Sequence, residues 1–167
     1  MSLFLIAISL FLTASYLGLI AKYLKIWNAL PIWHVPPNYQ PRTKISILIP
    51  ARNEAENILG CLHSILNQNF PKQLLEIFVI DDHSEDETAQ LVKKLKNPAV
   101  KLLNLKDYLN TNETQSFKKK AIEIGVENAT GDLIITTDAD CIAPENWLNL
   151  LVSFYEYKNL KFIAAPV

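Results

Sequence analysis

Residues Lys44–Ile49 read KISILI, and Pro50 stops the run. A short, nearly continuous apolar stretch of this kind fits a strand buried on both faces, because a strand with one wet face alternates. The same texture recurs outward from it. Glu54–Gln68 reads as a helix, with Ile58, Leu59, Leu62, Ile65 and Leu66 on one face. EIFVI (Glu76–Ile80) is a second strand. Ser84, with Glu87 three residues on, has the form of a capping box and predicts a second helix carrying Leu91, Val92 and Leu95 inward. VKLLNL (Val100–Leu105) is a third strand and Asp107–Gln115 a polar loop. A third helix begins near Ser116, turns Ala121, Ile122, Val126 and Ala129 inward, and ends near Gly131. LIITT (Leu133–Thr137) is a fourth strand. Pro144 suits the first turn of a fourth helix, whose stripe is Trp147, Leu148, Leu151 and Phe154, and KFIAAPV (Lys161–Val167) reads as a fifth strand.

Strands apolar on both faces, alternating with helices, predict an α/β fold: a parallel sheet sandwiched by helices and wound in the Rossmann manner. Ligands of such sheets bind beyond the carboxyl ends of the strands. That rule sorts the polar residues. Strand one runs into Pro50-Ala51-Arg52-Asn53-Glu54, strand two into Asp81-Asp82-His83-Ser84, and strand four into Asp138-Ala139-Asp140. Three acid-bearing strand ends should therefore lie on one edge.

Asp138 and Asp140 pose the sharpest question. One residue apart on an extended chain, two side chains point the same way, and two like charges there repel. A cation should sit between or beyond them, or one should be protonated. A divalent ion is the obvious candidate, since hard cations take carboxylate oxygens and bring phosphates with them. The plain alternative is the start of a surface turn; convergence of the three acidic ends outweighs it. Neither GxGxxG nor GxxxxGK[ST] occurs, and the chain has only 4 glycines, which argues against a dinucleotide fold of the usual kind and against a P-loop enzyme. A nucleotide would instead be held by carboxylates, with its diphosphate on a metal. Asp140 would carry the metal, Asp138 the ribose or the metal's surroundings, and Asp82 would accept from a ring N–H of the base. Lys118-Lys119-Lys120 opens the third helix against its dipole, a conflict that an anionic partner relieves; the alternative is a solvated basic face.

The bulk properties bound the rest. At 167 residues the chain holds one ordinary domain, or a small domain plus an anchor. Half of it is hydrophobic, and a net charge of −1 does not suggest nucleic acid. Cys61 and Cys141 have neither metal-ligand spacing nor a disulfide framework and fit a reducing compartment. Met1–Ala21 carries no charged side chain and has the length of a membrane-spanning helix; a cleaved signal peptide fits less well, because no basic segment precedes the apolar run. Lys22, Lys25, Arg42 and Lys44 follow it, which places that end in the cytoplasm. Tyr16, Tyr23, Trp27 and Trp33 suit an interfacial belt. Pro31, Pro36, Pro37 and Pro41 exclude regular structure between anchor and domain. The expected organisation is an anchor over 1–25, a proline-rich connector over 26–43 and a ligand-binding part over 44–167.

Three blocks carry a resemblance: ISILIPARNEAENI (Ile45–Ile58), VIDDHSEDET (Val79–Thr88) and KKKAIEIGVENATGDLIITTDAD (Lys118–Asp140). Together, in this order and spacing, they are similar to the opening blocks of family 2 glycosyltransferases of the GT-A fold. His83 and Glu123 depart from the commoner residues of that pattern. The resemblance implies a nucleotide-diphosphate-sugar donor, a UDP-sugar foremost, with its pocket at Pro50, Ala51, Arg52 and Glu54, a base-contacting acid at Asp82 and a lysine near the pyrophosphate at Lys118. It also implies a DXD motif at Asp138 and Asp140, with Mn²⁺ or Mg²⁺ on Asp140. Transfer would be inverting, to a hydroxyl of a glycan or lipid acceptor. An anchored enzyme with its catalytic part in the cytoplasm suits the inner or plasma membrane and synthesis of cell-envelope polysaccharide or glycolipid. The acceptor half of the family, with the carboxylate that deprotonates the acceptor, follows the strand that ends this chain. The general base is thus expected beyond Val167, and the chain is expected to be a truncated, amino-terminal part. Two other classes fit less: a catalytically inactive, membrane-anchored nucleotide-binding module, and a phosphatase of the haloacid-dehalogenase type, whose acid pair would sit on the first strand rather than the fourth.

Overall fold

A computed structural model describes residues 2–30, 32–108, 117–158 and 160–165. The chain divides into two units, Met1–His34 and Val35–Val167. The first is built on helix α1 (Ser2–Asn28), 27 residues long. Leu3–Asn28 is long and apolar enough to cross a membrane, with a hydropathy of 2.3 and none of that window buried within the chain. The helix runs past the expected boundary at residue 25 because Ile26 and Trp27 continue its apolar surface. Residues 32–44 contain no helix or strand, as the prolines of that stretch require.

The second unit is a four-stranded parallel sheet in the order β3-β2-β1-β4. The strands are β1 (Ile45–Ala51), β2 (Leu75–Asp81), β3 (Val100–Asn104) and β4 (Leu133–Thr136). Helices α2 (Ile58–Leu66), α3 (Thr88–Lys94), α4 (Phe117–Asn128) and α5 (Trp147–Lys158) connect and cover them. Side chains alternate across the pleat, so β1 feeds two cores. Ile45, Ile47 and Ile49 enter one with Leu62 and Ile65 of α2, Val92 of α3, and Leu148 and Val152 of α5. Leu48 enters the other with Phe78 and Ile80 of β2 and Ala121 and Ile124 of α4. Burial on both faces is the physical reason for the uninterrupted run at 45–49.

At the amino edge of the sheet lies one buried polar cluster. Ser46 and Glu76 are register partners on β1 and β2. The Glu76 carboxylate accepts from Ser46 Oγ at 2.7 Å, from Thr130 N at 2.7 Å, from Thr130 Oγ1 at 3.0 Å and from Lys101 Nζ at 3.1 Å. Gly131 N donates to Ser46 Oγ at 2.8 Å. A Cβ on Gly131 would lie 2.6 Å from that oxygen and 2.7 Å from the backbone of Ile45, so no larger residue fits. The cluster ties the turn between α4 and β4 to the two central strands.

Several expected boundaries shift, each for a local reason. α2 starts at Ile58 rather than Glu54: residues 55–57 form a turn in which the Glu54 carbonyl accepts from Asn57 N at 3.0 Å and from Ile58 N at 2.9 Å. α3 starts at Thr88 rather than Ser84, without a side-chain cap bond. The Ser84–Glu87 capping box is not formed: the Ser84 hydroxyl accepts from Asn53 N across the sheet edge. Ser116 and most of the expected polar loop lie outside the described residues. On α4, Val126 is 45% exposed rather than inward; Gly125, one residue earlier, faces the sheet, where a Cβ would come within 3.0 Å of Leu48. α5 begins at Trp147, whose N–H donates to the Pro144 carbonyl at 3.1 Å, so Pro144 belongs to the preceding turn. Residues 161–165 are not a strand. They line a hollow of about 400 Å³ together with Leu133–Thr136 of β4, and Phe162 is exposed; Pro166 and Val167, the end of the expected strand, lie outside the described residues.

The Glu76 cluster makes stability depend on acid. Burial alone would raise the Glu76 carboxyl, but the bonds from Ser46, Thr130 and Lys101 override it and hold the group at about 2 rather than 4.5. A folded-state value below the unfolded one stabilises the protein above pH 4.5, and that contribution fades as pH falls from there through about 2. The size is on the order of 3 kcal/mol. Urea unfolding at stepped pH should show this decline, and Glu76→Gln should remove most of it while lowering stability at pH 7 by roughly 1–3 kcal/mol. Gly131→Ala should lose a similar amount at every pH, by overpacking.

Candidate functional site

Parallel strands send their carboxyl ends to one edge, and the order β2-β1-β4 puts the three acid-bearing ends side by side. β1 ends at Ala51, register partner of Asp81, the last residue of β2. The Asp82 N–H donates to the Ala51 carbonyl at 2.8 Å, so the two loops leave together. β4 gives way to a turn in which Asp138 and Asp140 are exposed and Ala139 between them is 2% exposed. The two acids thus share the outer side, as an in-out alternation requires.

A cleft of about 230 Å³ opens at this edge, lined by Pro50, Ala51, Arg52, Glu54, Asp82, Lys118, Asp138, Ala139 and Asp140. All eight residues singled out from the sequence line it; Ala139 is the addition, since it lies between the two acids. A neighbouring hollow of about 270 Å³ shares Pro50, Lys118 and Asp138 and is closed by Ile122, Thr136, Thr137 and Cys141. Size does not mark the site. A larger hollow, about 600 Å³, lies between Pro37–Arg42 and the end of α5. Its one carboxylate, Glu156, already accepts from Arg42 N, Thr43 N and Thr43 Oγ1.

One wall of the cleft is Asp82, 8% exposed. His83 Nδ1 lies 2.9 Å from its Oδ1, and Arg52 Nη1 lies 3.9 Å from its Oδ2. His83 takes a positive φ of 56°, uncommon for a residue with a Cβ, and this folds its ring back over Asp82. Asp81 is also buried: its Oδ2 lies 3.4 Å from Ser84 N, while its Oδ1 has no hydrogen-bond partner among the described residues. In the sequence Asp81 looks like its neighbour, and both are buried; only Asp82 lines the cleft.

On the opposite wall a lysine meets the acid pair. Lys118 Nζ lies 2.8 Å from Asp138 Oδ1, with both side chains more than half exposed. The hydrogen bond to Asp138, helped by the charges of Asp138 and Asp140, holds the ammonium above its usual range. The lysine run does not act as one patch: Lys120 pairs with Glu123 one turn on, at 3.3 Å. Beneath this wall the buried Cys61 donates to the Asp138 carbonyl at 3.6 Å, and burial pushes its thiol up to about 12. Such a thiol stays protonated and packs.

The donor set bears on a metal. Asp138 and Asp140 offer hard carboxylate oxygens to solvent, the ligand type of Mg²⁺ and Mn²⁺. Among the described residues no group of three or more His, Cys, Asp or Glu is placed to hold an ion. An ion here would therefore take two carboxylates at most and complete its shell with water or with oxygens of a ligand, as Mg²⁺ does with phosphates. The residues fit such an ion.

Known proteins are similar to this chain. The profile of glycosyl transferase family 2 matches residues 46–166. Glycosyltransferase AglE of Haloferax volcanii is 30% identical over 109 residues, 65% of this chain and 34% of the relative. The structure of the mannosyltransferase PcManGT from Pyrobaculum calidifontis, in complex with GDP-Man and Mn²⁺, superposes with a TM-score of 0.70 at 30% identity, covering 89% of this chain and 43% of that one. TarS 1-349 of S. aureus in complex with UDP-GlcNAc gives 0.59 at 25% identity, covering 74% and 37%. The match spans about a third of the length of AglE and smaller shares, down to 16%, of other curated relatives. With its parallel sheet matching the GT-A glycosyltransferases, this chain belongs to glycosyl transferase family 2.

Proposed function

We propose that the cleft binds a nucleotide-diphosphate sugar and that the chain carries the donor-binding part of a metal-dependent, inverting glycosyltransferase. The observation behind this is that Asp82 on one side and Lys118, Asp138 and Asp140 on the other line a single cleft at the carboxyl edge. A nucleoside diphosphate has a weakly polar base and ribose at one end and concentrated negative charge at the other, and the two walls match those ends. Asp82, held by His83 and Arg52, accepts a hydrogen bond from a ring N–H of the base. Pro50, Ala51, Arg52 and Glu54 form the nucleoside pocket. Lys118 faces the diphosphate, and Asp138 faces the ribose or the ion.

Asp140, with Asp138, would hold Mn²⁺ or Mg²⁺, which when bound neutralises the diphosphate and stabilises it as a leaving group. Lys118 then exchanges one anion for another: its ammonium moves from Asp138 toward the phosphate oxygens. An acceptor hydroxyl, on a glycan or lipid, attacks the anomeric carbon from the side opposite the diphosphate, and a base passes its proton on. No residue of this chain is assigned that role. Bound Mn²⁺ with GDP-Man in the Pyrobaculum enzyme and UDP-GlcNAc in TarS support a donor of this class. The long apolar helix α1, followed by Lys22, Lys25, Arg42 and Lys44, supports an anchor over 1–25, a connector over 26–43 and a catalytic part from 44 onward on the cytoplasmic face.

Calorimetric titration of the full chain with UDP and with GDP, with and without Mn²⁺, tests this reading. Mn²⁺ should strengthen binding of one of the two, and Asp140→Ala should bring the affinity in Mn²⁺ down to the metal-free level. Asp82→Ala should weaken binding by roughly ten- to hundredfold whether or not Mn²⁺ is present, through loss of a charged acceptor. Binding indifferent to the metal, or to both substitutions, would sink the assignment.

A further inference from the structure

The loop that leaves β1 does not hold itself. Asn53 sits at a φ of 55°, a left-handed conformation that a non-glycine residue keeps only where its surroundings impose it. Three successive N–H groups of this loop donate across to the loop after β2. Asn53 N reaches Ser84 Oγ at 3.0 Å, Glu54 N reaches Thr88 Oγ1 at 2.8 Å, and Ala55 N reaches Asp86 Oδ2 at 3.0 Å. In return, Glu85 N donates to Asn53 Oδ1 at 2.9 Å. Thr88 is fully buried, and its hydroxyl proton points to Asp86 Oδ1 at 2.5 Å, which leaves its lone pairs for Glu54. Asp86 Oδ1 also takes the Thr88 N–H at 2.9 Å. Hydrogen bonds from Thr88 hold the Asp86 carboxyl below its usual range, so it is a charged acceptor at neutral pH.

The chemistry of those three N–H groups matters. A row of free N–H groups between a first strand and its helix is where many nucleotide-binding sheets cradle phosphate. Here side chains of the second loop have filled that row. The diphosphate must then be met on the other wall, at Lys118 and the acid pair, while the first loop is left to shape the nucleoside end. Neither Ser84, Asp86 nor Thr88 lines the cleft.

We propose that Ser84, Asp86 and Thr88 are positioning residues that clamp the first loop to the second and so set the separation of Arg52 and Glu54 from Asp82. The inference rests on the reading of the cleft as a nucleotide-sugar site. It predicts a defect in nucleotide binding from side chains that never touch the nucleotide.

Calorimetry on the full chain with UDP and GDP in the presence of Mn²⁺, well below the thermal midpoint of each variant, is the test. Asp86→Ala should weaken binding tenfold or more, and Asp86→Asn, which keeps an oxygen for Ala55 or Thr88, should recover most of it. Thr88→Ser should bind like the parent chain, whereas Thr88→Val, of the same shape without the acceptor, should behave like Asp86→Ala. Asp86→Ala combined with Arg52→Ala should lose much less than the product of the two single effects, since both act on one loop. Parent-like binding by Asp86→Ala and Thr88→Val would overturn the clamp alone, as would losses that track only the unfolded fraction. Failure of the parent chain to bind either nucleotide would overturn the reading of the cleft, and the clamp with it.

Discussion

Strand β1 is hydrogen-bonded on both sides, to β2 from Ile45↔Leu75 through Ala51↔Asp81 and to β4 from Ile45↔Leu133 through Leu48↔Thr136. Parallel pairing in that register brings the ends of the three strands out at one edge. The strand-borne part of the candidate site follows from it: Pro50 and Ala51 come from the middle strand, Asp82 from one flank, and Asp138 and Asp140 from the other. A slip of one residue would turn Ile45, Ile47 and Ile49 from one core into the other. The Ser46–Glu76–Thr130 cluster opposes such a slip, because its buried carboxylate has partners only in this register. Stability and site geometry are thus coupled through opposite ends of the same three strands.

The two walls of the cleft differ in how firmly they are held. Asp82 is buried, braced by His83 and by a backbone bond to Ala51, and stands on a loop knitted to its neighbour. Lys118 and Asp138 face solvent, and exposed ion pairs contribute only about 0–1 kcal/mol. A rigid wall suits recognition of a planar base, where a fixed acceptor discriminates. A weak ion pair suits the charged end, where a lysine must leave its carboxylate for phosphate at little cost. The filled first-loop cradle and the exposed acid pair are two aspects of one arrangement, which leaves the charge of a ligand to side chains rather than to the N–H groups of the first loop.

Much of this was legible in the sequence because it depends on local pattern. Runs such as KISILI and EIFVI require burial on both faces, and that alone selects a parallel sheet whose carboxyl ends gather the polar residues. The acid spacing at Asp138 and Asp140 called for a cation. What pattern missed is long-range. Ser84 and Glu87 match a capping box, yet the serine bonds to Asn53, 31 residues away. Glu54 reads as the first residue of a helix, yet it opens only a turn, with its N–H bound to Thr88, 34 residues away. Val126 lost its inward place to Gly125, since closeness of α4 to the sheet favours the smallest residue. Residues 161–165 have a strand's composition but no hydrogen-bonded partner strand. Lys118 pairs with Asp138 from 20 residues upstream, a contact made by the packing of α4 and visible in no periodicity.

The account stands on one cleft serving base and diphosphate at its two walls. A crystal structure of the full chain grown with Mn²⁺ and either UDP or GDP tests that most directly, with the anomalous signal of manganese marking the ion. The ion should lie against Asp140 and Asp138 and the diphosphate, the base should lie against Asp82, and Lys118 should have left Asp138. Nucleotide bound elsewhere, such as in the larger hollow beside Tyr39 and Glu156, or manganese away from the acid pair, would contradict it.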